Sequence, residues 1–237
     1  MKIKDPTIGK LLGIIISFPK TIYFNLRALP LHQAIRLPIF LWYNVRILSV
    51  KKGIIHFPNG FHPFMIGIGK GGTKEVIAYP HSQISVGGGS LSFLGAAGFS
   101  SGVSLDCTGN MTIGANFSTN KNAFISCSKE IIIGERVMLG DNCVIRDSDG
   151  HTVTQNGVAK MSQRPIYIGN HVWIASHAHV LKGSYIPDNS IVAYRSLVTR
   201  KYEQEGSLIA GSPATVVQTG IDWGVYDVEK EKRDNSN

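Results

Sequence analysis

Charge, cysteine and long apolar runs are all scarce in this chain of 237 residues. Charged residues make up only 17% of it, against 43% hydrophobic residues and 26 glycines. That balance excludes a disordered chain, which needs high charge and low hydrophobicity, and suits an all-helical bundle poorly. No apolar run approaches the roughly 20 residues needed to span a bilayer; the longest, Leu11 to Phe18, stops at Pro19. Met1 to Phe18 has the basic flank and short apolar core of a signal peptide, but Asp5 interrupts the flank and no small-residue cleavage site follows, so the segment reads as retained. Cys107, Cys127 and Cys143 are an odd set without CxxC spacing. They exclude a disulfide framework and a thiolate metal site, and read as buried free thiols.

Acidic residues are scarcest at the start. Residues 1–52 hold nine basic side chains (Lys2, Lys4, Lys10, Lys20, Arg27, Arg36, Arg46, Lys51 and Lys52) and one acid, Asp5, while the remainder balances. A nucleic-acid binder places its charge on the folded domain. Here it is interleaved with Ile, Leu, Phe and Trp, the pattern of a segment lying against the next domain or on an anionic membrane surface. Pro19, Pro30 and Pro38 divide this segment into helical pieces, one from Thr7 to Phe18, then Leu31 to Arg36 and Ile39 to Leu48.

From about residue 53 helical periodicity vanishes and short β-branched triplets alternate with Gly, Asn, Asp and Ser. A six-residue repeat takes over. Ile168, Ile174, Val180, Ile186, Val192 and Val198 recur without a break. Two positions earlier stand Ile166, Val172, Ala178, Ser184, Ser190 and Ser196. Ile133, Leu139 and Ile145 share the period, as do Phe93, Phe99, Leu105, Met111, Phe117 and Ala123; the phase slips near 125–133 and at 152–165. A period of six matches neither helix nor flat strand. It fits an all-β prism whose three faces each take one hexad, so that 18 residues complete a turn and the core grows by stacking. The polar stretch His151 to Arg164 then leaves the prism as an excursion loop. The predicted organisation is a helical N-terminal segment (1–52), a prism (53–218) and a frayed or helical tail (219–237).

Several stretches resemble the hexapeptide-repeat acyltransferases. Pro165-Ile-Tyr-Ile-Gly-Asn-His-Val-Trp-Ile-Ala175, Leu181-Lys-Gly183, Asp188-Asn-Ser190 and Ile209-Ala-Gly-Ser-Pro-Ala214 follow that family's motifs. Asp147-Ser-Asp-Gly-His151 resembles the D-x-D-x-H of its sugar O-acetyltransferase branch. The likeness runs over residues 85–218. It implies a left-handed parallel β-helix, acetyl-CoA as acyl donor, no metal, a homotrimer with sites between subunits, and a carbohydrate acceptor in surface-polysaccharide synthesis. It also implies a cytoplasmic enzyme, peripheral at the inner face of the membrane if residues 1–52 touch lipid. Ala175 and Tyr194 replace the family's usual small residues, and Tyr194 is expected to narrow the coenzyme groove.

Transfer of an acetyl group from a thioester to a hydroxyl needs a base to take the hydroxyl proton, and histidine suits neutral pH. Of eight histidines, His151 lies on the six-phase of Ile133, Leu139 and Ile145, precedes the loop and follows Asp147 and Asp149, either of which could orient it. The resemblance places the catalytic histidine there. It also assigns Ser176 and Tyr194 to the pantetheine groove and Arg200 and Lys201 to the coenzyme's phosphates, while Trp173 is placed to line the groove for pantetheine or acceptor. Rival readings are N-acetylation of an amino sugar, acetylation of a small molecule, a non-catalytic scaffold, and a zinc prism of the γ-carbonic-anhydrase kind using His171, His177 and His179. Gly67-Ile-Gly-Lys-Gly-Gly72 fits a dinucleotide fingerprint, but Glu75 to Tyr79 reads as strand where a helix is required. Two Asn-x-Ser/Thr matches, at Asn110 and Asn116, read as chance.

Overall fold

The computed structural model describes residues 6–71 and 81–224, with side chains from residue 11 onward. Glu75 to Tyr79, Gly72 and the tail from Val225 to Asn237 lie outside the described residues. The hexads build a three-faced parallel prism. Face A stacks Ile39–Leu41, Ile66–Ile68, Ala97–Phe99, Phe117–Thr119, Met138–Leu139, Trp173–Ile174 and Ile191–Val192. Face B stacks Val45–Val50, Ser82–Val86, Ser104–Cys107, Phe124–Cys127, Val144–Arg146, His179–Leu181 and Leu197–Val198. Face C runs from Ile55–His56 through Ser90–Phe93, Asn110–Ile113, Glu130–Ile133 and Ile166–Ile168 to Tyr185–Ile186. Each face is a parallel ladder, so the hydrogen bonds run between coils and the apolar residue of each hexad points inward.

The coil length is not uniform. In the last coils Tyr167 pairs with Tyr185, Ile174 with Val192 and Val180 with Val198, the 18-residue turn that the hexads predict. In the earlier coils Phe99 pairs with Thr119, Leu105 with Ile125 and Met111 with Ile131, a turn of twenty. The two surplus residues follow face B, where Val86, Cys107 and Cys127 stand in register at one additional inward position. The phase slip near 125–133 thus repeats the step taken one coil earlier, after Leu105. The wider interior holds Phe93, Phe99 and Phe117, whose rings pack 6.3 and 5.4 Å apart. The narrower one holds Ile, Val, Ala and the buried Ser184, Ser190 and Ser196. Their hydroxyls bond corner backbone, Ser184 to the Leu181 carbonyl at 2.6 Å and Ser190 to that of Asp188 at 3.3 Å. Buried polarity therefore comes with its partners.

Corners need left-handed backbone. Asn122, Asn142, His177 and Arg195 occupy it with φ of 59, 57, 63 and 57° on the A–B corner. Asn tolerates this conformation because its short amide bonds locally, and Asn122 donates to Asn142 at 3.2 Å. Where coils approach closest, only glycine fits: a Cβ on Gly134 would lie 2.6 Å from the Gly169 carbonyl oxygen.

The N-terminal segment departs from its prediction in two ways. The first helix, α1, is continuous over Pro6–Ala28 and carries Pro19 inside it. Pro19 stands on the exposed side, where the hydrogen bond it forfeits opens away from the core. A second helix, α2, spans Leu31–Ala34. Ile39 to Leu48, expected as a third, instead supplies strands of faces A and B, so the prism begins near residue 39 and not 53. The segment is rich in Ile, Phe, Trp and Val, and the open edge of Ile66–Ile68 offers it a partner ladder. Helix α1 caps the new edge in turn. Asn25 donates to the Ile39 carbonyl at 2.6 Å and accepts from its amide at 3.2 Å. Thr21 makes the same pair of bonds with Leu41, and Lys20 donates to the carbonyls of Tyr43 and Val45. Desolvation lowers the Lys20 pKa. Gly13 lets the helix lie against Trp42, whose ring a Cβ would meet at 2.5 Å. At the other end an antiparallel hairpin, Ser207–Gly211 with Ala214–Thr219, closes face A.

Candidate active site

Between Ile145 and its register partner Val180 lie 35 residues in place of 18 or 20, and the difference is the excursion. It is an ordered arm. Thr154–Gln155 pairs antiparallel with Val158–Ala159 around Asn156-Gly157, both at positive φ (52 and 79°), the pairing preferred in tight hairpins. Below the hairpin, Ser148 bridges Gln163 and the Asp149 amide donates to the Ser162 carbonyl at 2.9 Å.

Asp147 anchors the arm. It occupies the additional inward position next after Cys127, fully buried, and accepts from the amides of Ser128, Lys129 and Glu130 at 2.8, 2.7 and 2.8 Å. Three backbone donors thus meet the carboxylate that was expected to orient His151, and among the described residues no hydrogen bond joins the two. Asp149 is likewise engaged elsewhere, in an ion pair with Lys182 of the following coil. Lys182 also donates to the Met161 carbonyl at 2.7 Å, tying both limbs of the arm to the prism. His151 is exposed on the outgoing limb, and among the described residues its imidazole makes no hydrogen bond. Its place is therefore set by the arm and not by the six-phase, which ends at Ile145.

Two residues of this corner were missed from sequence. In sequence Lys182 stands out only as the middle of Leu181-Lys-Gly183. Arg146, at the end of its face B strand, lies against Gly150, where a Cβ would be 2.8 Å from the guanidinium. Its buried Nε has no hydrogen-bond partner. The signal that could have found both was the gathering of cations in Arg146, Arg164 and Lys182 around a short acidic run.

Ser176 and Tyr194 come together on the A–B corner of successive coils, where the Arg195 amide donates to the Ser176 carbonyl at 3.2 Å. Ser176 Oγ accepts from the Asp141 amide at 3.1 Å. Tyr194, 56% exposed, is an aromatic shelf with His177 edge-on at 5.4 Å and the Arg195 guanidinium 5.3 Å from its ring. Arg200 and Lys201 follow the last face B strand, exposed on the B–C corner from which the arm departs two coils earlier. Face B thus lies between a corner carrying Ser176 and Tyr194 and a corner carrying the arm, Arg200 and Lys201. Trp173 stands apart on face A, 38% exposed and 6.2 Å from Trp223. Among the described residues no hydrogen bond, ion pair or ring contact joins the arm to Trp173, Ser176 or Tyr194.

The thiols are unsuited to nucleophilic work. All three are free and buried. Burial pushes Cys143 up to about 11, and the hydrogen bond that the Cys127 thiol donates to Cys107, together with burial, raises Cys127. The zinc reading loses its cluster: among the described residues no three His, Cys, Asp or Glu groups gather to hold a metal. His171 sits on the C–A corner, stacked on Trp223 at 4.4 Å and 3.6 Å from Asp222, beside a groove of about 590 Å³ lined also by Arg136, Asn189 and Glu205. His177 belongs to the A–B corner and His179 to face B.

No protein-family profile matches the chain. It is 34% identical over 112 residues to a galactoside O-acetyltransferase of Escherichia coli K12, covering 46% of this chain and 54% of that protein. It is 30% identical over 115 residues to a putative acetyltransferase of Saccharomyces cerevisiae, covering 48% and 58%. The chain therefore spans about half the length of the curated relatives it matches. Among solved structures, the polySia-specific acetyltransferase NeuO aligns over 81% of this chain and 85% of that one, with a TM-score of 0.55 and 16% identity. That likeness is one of fold, the left-handed parallel β-helix. The resemblance to hexapeptide-repeat acetyltransferases, read first from the motifs, holds in sequence and in architecture.

Proposed function

We propose that this chain is an acetyl-CoA-dependent O-acetyltransferase acting on a sugar hydroxyl of a surface polysaccharide or its precursor. The observation that carries the reading is the arm. A buried carboxylate roots it, a lysine of the Leu181-Lys-Gly183 motif pins both its limbs, and it presents an unengaged imidazole at one corner of face B, whose other corner carries Ser176 and Tyr194. Acetyltransferase names among the relatives support the same chemistry.

In this mechanism neutral His151 accepts the proton of the acceptor hydroxyl as its oxygen attacks the thioester carbonyl. The tetrahedral intermediate collapses with cleavage of the carbon–sulfur bond, and the imidazolium returns its proton to the departing thiolate. No covalent enzyme intermediate is needed, in keeping with three buried thiols. Asp149 acts on the arm through Lys182. Ser176, Tyr194 and Trp173 receive the pantetheine, and Arg200 and Lys201 the coenzyme's phosphates. Because the arm and the Ser176–Tyr194 corner do not touch within one chain, the complete site takes one element from each of two copies in a homotrimer. The guanidinium groups of Arg146, against Gly150, and Arg164, against Gly183, lie at the root of the arm and favour an acceptor carrying a carboxylate or phosphate.

The test is release of coenzyme A thiol from acetyl-CoA against a panel of neutral, acidic and amino sugars, with the acetylated product identified. Thiol release that depends on a sugar hydroxyl and is lost in His151→Ala supports the proposal. Undiminished transfer by His151→Ala, or a product acetylated only on nitrogen, overturns it.

A further inference from the structure

Helix α1 uses one side to cap the prism and leaves the other bare. Its inward side buries Ser17, Thr21, Phe24, Asn25 and Ala28. On the outward side Leu11, Ile15, Ile22 and Leu26 form one row, with Ile16 and Tyr23 beside it, exposed by 42 to 61%. Spacings of four and seven residues keep them on one stripe of the helix. Leu31 and Ile35 of the following turn extend it, 64 and 67% exposed. Contiguous apolar surface of this kind marks an interaction site. The helix does not span a membrane: no described helix is long and apolar enough to cross one.

The charge beside this stripe selects the partner. Residues 6–74 contain no Asp or Glu. Arg27, on the rim of the stripe, and Arg36, Arg46, Lys51 and Lys52 nearby are exposed cations. Lys20 is excluded from this count because its ammonium is spent on two carbonyls. A second copy of the chain docked here would set like charge against like charge. An anionic lipid surface takes the apolar rows at the level of its acyl boundary and the cations among its head groups.

We infer that α1 is an in-plane membrane anchor, which holds the first coil of the prism against an anionic bilayer. This inference is independent of the acetyl-transfer reading, since none of these residues belongs to the candidate active site.

The full-length protein is floated with vesicles of phosphatidylcholine alone and with vesicles of phosphatidylcholine and phosphatidylglycerol in equal parts. Binding is expected only to the second and falls as salt rises. Arg27→Gln reduces that binding about fivefold, the loss for one cation near an anionic surface. Ile15→Glu with Ile16→Glu abolishes it. Both positions are exposed, so thermal melting and transfer to a soluble acceptor stay as in the parent. Equal binding to both vesicles, or binding to neither, overturns the inference. So does a change of oligomeric state by light scattering in the double variant, which assigns the stripe to a second copy.

Discussion

The coils before the arm and the coils after it differ in girth, and the difference explains where the arm leaves the prism. From Ala97 up to the arm a turn takes twenty residues, and these coils enclose phenylalanine rings and three cysteines; after the arm a turn takes 18 and encloses Ile, Val and Ser. The two-residue surplus adds one inward position after face B, filled in turn by Val86, Cys107 and Cys127, and lastly by Asp147. A carboxylate is tolerated inside an apolar column only where donors wait for it, and the amides of the turn below supply three. The arm therefore leaves the prism where the wide coil ends. It leaves from a rung whose carboxylate is tied to three backbone amides.

The largest expected effect separates the arm's tip from its root. His151→Ala should lower transfer by about 10²–10⁴-fold, the contribution of a general base, with the melting temperature unchanged. Asp147→Ala should lower stability by about 3 kcal/mol or more, since each backbone donor left without a partner costs about 1–3 kcal/mol, and activity should fall with it. If Asp147→Ala melted like the parent, the rung would not be the anchor. Denaturant unfolding of both variants makes the comparison.

Next come core swaps that probe girth directly. Phe117→Ala in the wide column should cost about 3–5 kcal/mol by opening a cavity. Cys127→Val should cost less than about 1.5 kcal/mol because the volume is nearly kept. In the narrow column Ser190→Leu should cost about 1–3 kcal/mol through overpacking, and more because its buried hydroxyl bond is lost as well. Equal tolerance of Leu at positions 127 and 190 would break the distinction.

Smaller still is the tie between arm and narrow coil. Lys182→Ala should reduce kcat about tenfold by loosening the limb that bears His151. The exposed ion pair itself should contribute less than about 1 kcal/mol to stability. Rescue by Lys182→Arg would separate positioning from general weakening. The smallest effect is a null one. Iodoacetamide at neutral pH should leave transfer intact, because the thiols are buried and Cys143 is pushed up to about 11. Rapid inactivation would place a thiol in the mechanism.

The sequence was most legible where period and side-chain size agree. The hexads from Ile168 to Val198 specify the 18-residue turn, since one inward apolar residue per face closes a triangle only at that spacing. The motif stretch from Pro165 to Ala175 was readable for the same reason: its residues are dictated by local packing. Ile39 to Leu48 was misread because its partner, Ile66–Ile68, lies far along the chain, and an edge awaiting a strand leaves no mark on the strand's own periodicity. Pro19 suggested a break that the helix absorbs on its outward side.

By itself, then, the order of residues decided the prism, its repeat, the buried thiols and the presence of a histidine just past the last wide coil. Only the tertiary structure decided how that histidine is held: which carboxylate is taken by backbone amides, which by Lys182, and which corners share face B. The reason is physical. A repeat is a local demand repeated, and each hexad states it alone. Whether Asp147 or Asp149 stays free depends on donors brought from neighbouring coils, up to 33 residues away, and no spacing within the run itself carries that information.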